Sequence, residues 1–423
     1  MLFGFHEYRR SIAEHVSKQN RVFFTVLSLF ITAILTVVAY GYFYSPAFTI
    51  LSIASEESIS PLPDNYTAPL EQTRTITSDR KQVIGFLPSW SIAQDARVYP
   101  EYLDQIIYFG IGIDQHGNLM KVDDKAQPLV EWSYLNSDYF KTLQDKSKKT
   151  KTKILVAIKN FDNTSIDTLI GNENYTNNAV TQLTKLVDDY DLDGINIDFE
   201  YFSDIETQTL QNYNRFLTTL SSKLKEIKSD SVLSVDVNAT VVYRDNAYDM
   251  VKIGEVVDQV IIMGYDYHRA TSIYAGSVAP IDAEREDPSI RQTINSLEGR
   301  VGREKLILGI PLYGYEWQTF SKEKNSRTMP DTGAIATYKR VRQLITGRDD
   351  VELNFDETSL TPWLTYNQNG LIKQIYYEDE RSILEKIKFV QLNDLDGIAL
   401  WALGYEGDYV EPWAIIKENI HNE

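Results

Sequence analysis

Asp198 and Glu200 stand two residues apart in the stretch Leu192-Asp193-Gly194-Ile195-Asn196-Ile197-Asp198-Phe199-Glu200-Tyr201. If the run from Ile195 is a strand, Asn196, Asp198 and Glu200 share one face and Ile195, Ile197 and Phe199 the other. Carboxyls buried together on one face repel, which raises one pKa and keeps a proton on it near neutrality. A retained proton is what general acid catalysis needs. The same decapeptide also fits a half-exposed strand with a solvated acidic face, and the rest of the chain has to decide between the two.

Composition narrows the chemistry. With 42 Lys and Arg against 60 Asp and Glu, the 423-residue chain has a net charge of -18, which argues against nucleic acid as a partner and favours a neutral or cationic ligand. There is no cysteine, so thiolate nucleophiles, thiolate metal sites and disulfides are excluded. The five histidines are scattered without metal-ligand spacing, so no metal and no cofactor is expected. The 27 tyrosines and six tryptophans suit a sugar cleft, where aromatic faces stack on pyranose rings, although tyrosines serve packing as well.

The elements that position these residues follow a long preamble. Residues 22–44 (VFFTVLSLFITAILTVVAYGYFY) form an uncharged apolar run long enough to span a bilayer as one helix. Arg9, Arg10, Lys18 and Arg21 precede it and no Lys or Arg follows until Arg74, so the positive-inside rule puts residues 1–21 in the cytoplasm and the remainder outside. The expectation is a single-pass signal-anchor over 22–44 with the lipid bilayer as its partner. A secreted product results instead if the small-residue site around Ser52-Ile53-Ala54 is cleaved. Residues 45–80, rich in Ser, Thr, Pro and Glu, read as an extracytoplasmic linker. The folded body is expected over 81–423.

Within that body, buried strands are expected at 82–87, 104–113, 153–158, 193–201, 232–238, 257–265, 305–312 and 396–402. Helical patterns at 178–189, 213–228 and 381–390 separate some of them. Eight short strands alternating with helices predict a parallel (β/α)8 TIM barrel, with a small α+β insertion at about 318–378 between the seventh and eighth strands. Catalytic groups of such barrels sit at the carboxyl ends of the strands. The candidates there are Phe86, Trp90, Tyr108, Asn160, Asp198, Glu200, Asn238, Met263, Tyr265, Asp266, Tyr313 and Trp401. Lys159 is the one lysine placed where a Schiff-base nucleophile could stand.

These residues carry a resemblance. Asp193-Gly194-Ile195-Asn196-Ile197-Asp198-Phe199-Glu200 resembles the fourth-strand signature of glycoside hydrolase family 18, Asp-x-x-Asp-x-Asp-x-Glu. Met263-Gly264-Tyr265-Asp266, Leu308-Gly309-Ile310-Pro311-Leu312-Tyr313-Gly314 and Asp396-Gly397-Ile398-Ala399-Leu400-Trp401 are similar to its sixth, seventh and eighth strands. The resemblance covers roughly residues 82–420 and implies retaining hydrolysis of β-linked N-acetylhexosamine by substrate assistance. It implies Glu200 as acid and then base, Asp198 as the group that orients the acetamido substituent and stabilises the oxazolinium ion, and Tyr265 as a hydrogen-bonding partner of the acetamido oxygen. Trp401 would stack beneath the sugar. Asp193 supports the motif from behind or simply opens the strand with Gly194. Asp266 binds sugar hydroxyls or braces its loop, and Met263, Tyr108, Phe86 and Tyr313 line the substrate site.

Two departures from the family pattern matter. Asn196 replaces the second Asp, which predicts less buried charge and an ionised Asp198. The third strand ends Ala157-Ile158-Lys159-Asn160-Phe161 where chitinases have Ser-x-Gly-Gly, which weakens chitin in particular and resembles the ending of family members acting on peptidoglycan. Three functions remain open: a membrane-anchored extracytoplasmic hydrolase of N-acetylglucosamine-containing polysaccharide, a non-catalytic lectin-like relative, and a scaffold that uses the barrel as a stalk.

Overall fold

The computed structural model describes residues 80–94, 96–201, 206–239, 248–284 and 287–421. The expectations for the cytoplasmic segment 1–21, the anchor 22–44 and nearly all of the linker 45–80 therefore lie outside the described residues. Among the described residues no helix is long and apolar enough to cross a membrane.

Eight parallel strands close into a barrel: β1 (Gln82–Pro88), β2 (Gln105–Gly112), β3 (Lys153–Asn160), β4 (Gly194–Phe199), β5 (Val232–Asn238), β6 (Gln259–Met263), β7 (Leu306–Pro311) and β13 (Gly397–Trp401). Each pairs with its sequence neighbour among these eight, and β1 pairs with β13 to complete the ring. The eight expected strands are all present, with β3 two residues longer than its apolar run.

The alternation in β4 explains how the sequence picks its faces. Ile195, Ile197 and Phe199 join the large core between the barrel and its helices, and Phe199 stacks on Phe216 of the helix Thr207–Ile227 at 5.8 Å between ring centroids. Burying those apolar groups outward forces Asn196 and Asp198 into the lumen. Gly194 lets β4 lie close to β5, since a Cβ there would collide with the Val232 carbonyl.

Asp193 lies at the opposite rim from the strands' carboxyl ends. Its Oδ2 accepts from the Ile154 amide at 2.9 Å and its Oδ1 pairs with Lys228 Nζ at 2.5 Å. It thus ties β3 and the end of a helix to the start of β4. This corrects its expected place among the catalytic groups, because the strand's length separates it from the acids.

Between β7 and β13 the chain forms a five-stranded antiparallel sheet, in the order β10 (Glu352–Asp356), β11 (Thr361–Gln368), β12 (Leu371–Tyr376), β8 (Tyr313–Gln318), β9 (Ala334–Thr337), with the helix Tyr338–Thr346. The insertion begins at Tyr313 rather than near 318. β8 escaped detection because both of its faces are covered, so its burial does not alternate. On one face Tyr313, Tyr315 and Trp317 pack together; on the other Glu316 is paired with Arg340 and accepts from Tyr366 Oη at 2.9 Å.

A buried ion pair fastens the end of this insertion to the barrel's last helices. Lys386, on the helix Glu380–Leu392, reaches Glu378 Oε2 at 2.7 Å, and both side chains are almost wholly excluded from solvent. Ser382 Oγ donates to the same oxygen at 2.6 Å. Burial pushes the Glu378 carboxyl up, with Lys386 opposing it. Lys386→Met strands that carboxyl without a counter-charge and is expected to lower stability by about 3–5 kcal/mol in urea unfolding.

Candidate active site

A cavity of about 350 Å3 opens at the carboxyl ends of the barrel strands, and Asp198, Glu200 and Asp236 all line it. Asp198 projects inward from β4. Glu200 follows one step past the strand, where its backbone N–H donates to the Asn160 carbonyl at 3.2 Å. Asp236 comes from β5, which lies beside β4 with Asn196 opposite Ser234. Asn196 Nδ2 donates to Asp236 Oδ1 at 2.8 Å and to Ser234 Oγ at 3.0 Å.

Three carboxyls in one desolvated space cannot all be ionised cheaply. Asp198 is held well above the ordinary carboxylate range by burial first, then by the charges of Asp236 and Glu200, with Lys159 opposing. Asp236 is raised well above that range by burial and by Glu200, against the pull of the Asn196 amide. Burial also raises Glu200, the Asn238 amide and Arg269 lower it, and Asp266 raises it. The cluster therefore retains protons toward neutral pH. Asp198 Oδ1 is buried and has no hydrogen-bond partner among the described residues, so this cavity-lining residue carries an unsatisfied acceptor.

The replacement of an acid by Asn196 was expected to lighten the buried charge and favour ionised Asp198. The structure reverses this, because the neighbouring strand returns the carboxyl as Asp236. Sequence reading missed Asp236, although Ser234, Asp236 and Asn238 alternate on β5 as the acids do on β4.

Aromatic groups form the remaining walls. Trp401 meets Phe109 at 4.8 Å and Phe86 at 5.5 Å, with Trp90 at 6.3 Å. Trp90 also meets Phe109 edge-on at 6.0 Å between ring centroids. Tyr265 lines the cavity, and burial and the surrounding acids push its phenol well above its usual range, so it stays a donor. Asp266 adopts a left-handed backbone, φ 63°, and its Oδ1 accepts from Tyr313 Oη at 2.5 Å and Tyr315 Oη at 3.2 Å. Both phenols belong to β8, so the insertion positions a residue of the barrel mouth.

Of the expected site residues, Asp198, Glu200, Tyr265, Met263, Asp266, Tyr313, Trp401, Trp90 and Asn238 line this cavity. Asn196 lies one layer beneath. Tyr108 does not line it: its ring meets Phe140 at 5.5 Å in the helix layer and its hydroxyl donates to the Glu131 carbonyl at 2.6 Å. Alternation gives the inward place to its neighbour Phe109. Phe86 packs under Trp401 as barrel filling rather than wall. Asn160 Nδ2 donates to the Ile113 carbonyl and Ser165 Oγ, bracing a loop. Phe109, Phe161, Asp236 and Arg269 were missed. Among the described residues no His, Asp and Glu side chains group as metal ligands.

Comparison with known proteins gives a consistent result. The family model described as "Glycosyl hydrolases family 18" matches residues 82–406. "Probable chitinase 2" of Drosophila melanogaster is 24% identical over 348 residues, 76% of this chain and 72% of that protein. The cortical fragment-lytic enzyme of Bacillus subtilis (strain 168) is 23% identical over 342 residues, 79% of this chain and 72% of the relative. In fold, the chain resembles the crystal structure of Ostrinia furnacalis Group IV chitinase, with a TM-score of 0.69 at 17% identity over 81% of this chain and 100% of that one.

Asn196→Asp removes the amide that supports Asp236 and adds a like charge. All three clustered acids have raised folded-state pKa values, so the folded state holds extra protons and loses stability as pH rises from the ordinary carboxylate range toward those values. The variant is expected to be less stable by about 1–3 kcal/mol, with a deficit that widens between pH 4 and pH 8 in thermal unfolding.

Proposed function

Because the chain belongs to the glycosyl hydrolases of family 18 and is a glycosidase, we propose that it cleaves β-linked N-acetylglucosamine-containing glycans, chitin oligomers or peptidoglycan, with retention. The substrate's own acetamido group serves as nucleophile. The observation that carries this reading is the state of Asp198, a buried carboxyl with raised pKa, an unpartnered oxygen and two acidic neighbours. Burial and two acidic neighbours make Asp198 a poor nucleophile, and its unpartnered oxygen is the acceptor for an acetamido N–H.

In the first step Glu200 gives its proton to the glycosidic oxygen, the bond from the anomeric carbon to that oxygen breaks, and the acetamido oxygen bonds to the anomeric carbon. With the proton of the acidic cluster held on Asp236, Asp198 acts as the carboxylate that accepts from the acetamido N–H and offsets the positive charge of the oxazolinium ion. Tyr265 donates to the acetamido oxygen and fixes its line of attack. In the second step Glu200, now a carboxylate, takes a proton from water as the water oxygen bonds to the anomeric carbon and the acetamido oxygen leaves. Trp401 carries the apolar face of the sugar. The similarity to a chitinase and to a cortical fragment-lytic enzyme supports an amino-sugar glycan.

The apolar run 22–44 behind basic residues supports a single-pass anchor, with residues 1–21 cytoplasmic and the barrel held outside on the linker 45–80. Membrane fractionation of cells checks this: the full chain should resist an alkaline wash, whereas release of the barrel into the soluble fraction would assign cleavage near Ser52-Ile53-Ala54.

The test of activity is hydrolysis of chito-oligosaccharides and purified peptidoglycan by the full chain in mild detergent. Glu200→Gln is expected to lower kcat by about 10^2- to 10^4-fold on whichever polymer is cleaved. Binding of the glycans by wild type without cleavage would overturn the hydrolase reading in favour of a lectin. In the wild type, activity should fall as pH rises through the elevated pKa of Glu200, because the acid form is then lost.

A further inference from the structure

Lys159 is a cation at the mouth of a strongly acidic chain, and nothing in the hydrolytic steps uses it. It stands on β3 directly opposite Asp198 of β4, so the two Cα atoms are about 4.8 Å apart, the spacing of adjacent strands. Its stem runs along β2 past Gly110, where a Cβ would come within 3.4 Å of Lys159 Cδ. The ammonium lies 5.3 Å from the ring centroid of Phe109, a wall of the catalytic cavity. Beyond it extends an open groove of about 750 Å3, lined by Lys159 and Phe161 and also by the acids Asp114 and Asp162, which leave Lys159 as its one lysine or arginine among the described residues. Phe161 also lines the catalytic cavity, so the two spaces share a wall.

The ammonium is poorly satisfied. Its acceptor among the described residues is Glu131 Oε1 at 3.5 Å, the outer limit of a hydrogen bond, and each side chain is about a quarter exposed. A lysine ammonium has three donors, so at least two N–H groups remain to face the groove. In a chain of net charge -18, a half-buried cation beside a glycan site selects for an anionic group that would otherwise be repelled.

We propose that Lys159 is a specificity residue that receives a carboxylate carried by the sugar next to the scissile bond. The preferred substrate is then a polymer in which N-acetylglucosamine alternates with a carboxylate-bearing N-acetylhexosamine, as in peptidoglycan strands freed of their stem peptides, rather than neutral chitin. This rests on the hydrolase reading given above.

The test measures kcat/KM of the full-length protein on peptidoglycan glycan strands with the lactyl carboxylate free, on the same strands with that carboxylate amidated, and on neutral chito-oligosaccharides. Wild type should prefer the free carboxylate over the amidated strand, and added salt should shrink that preference. Lys159→Met should lower the ratio of free to amidated by about 10-fold, mainly through KM, and Lys159→Arg should keep most of it. Any weakening of Asp198 that follows from losing the cation slows both strands alike, so the ratio isolates recognition. A ratio unchanged in Lys159→Met, or a wild type indifferent to amidation, overturns the assignment of Lys159 alone. A wild type that cleaves none of the three glycans overturns the hydrolase reading, and the assignment of Lys159 with it.

Discussion

The repulsion among Asp198, Glu200 and Asp236 in one water-poor space is what the rest of the barrel mouth is arranged around. Three carboxyls there would open the fold at neutral pH if each were ionised and unpartnered. The strain is relieved locally: protons are shared, Asn196 donates to Asp236, Asn238 supports Glu200, and Arg269 and Lys159 contribute positive charge from the rim. The cluster still retains protons toward neutral pH, and Asp198 Oδ1 stays without a hydrogen-bond partner among the described residues.

The scaffold tolerates this because its apolar stabilisation lies elsewhere. Ile195, Ile197 and Phe199 are fully buried against the helices on the outer face of β4, so the lumen can be polar without weakening the main core. A second apolar cluster, with Phe86 and Phe109 packed against Trp401 and Trp90, fills the barrel. The insertion sheet adds the last wall. Through Tyr313 and Tyr315 it holds Asp266, and through Glu378 and Lys386 it is fixed to the barrel helices. A loop in its place would leave Asp266 free to turn in its left-handed conformation.

What the sequence determined by itself was whatever depends on local periodicity. The eight barrel strands, the inward face of β4 and the groups at most strand ends were legible because alternation and apolar runs are properties of neighbouring residues. The acids of β4, Tyr265 and Trp401 were found in this way. Only the tertiary structure decided which groups from different strands meet. Asp236 compensates for Asn196 because β5 lies beside β4 in a particular register, and Phe109 displaces Tyr108 because the outer layer took the tyrosine. Asp193 braces the far rim, and β8 hides its period because both its faces are covered. Charge balance in a buried site is a sum over contacts distant in sequence, and a reading of one strand at a time cannot perform that sum.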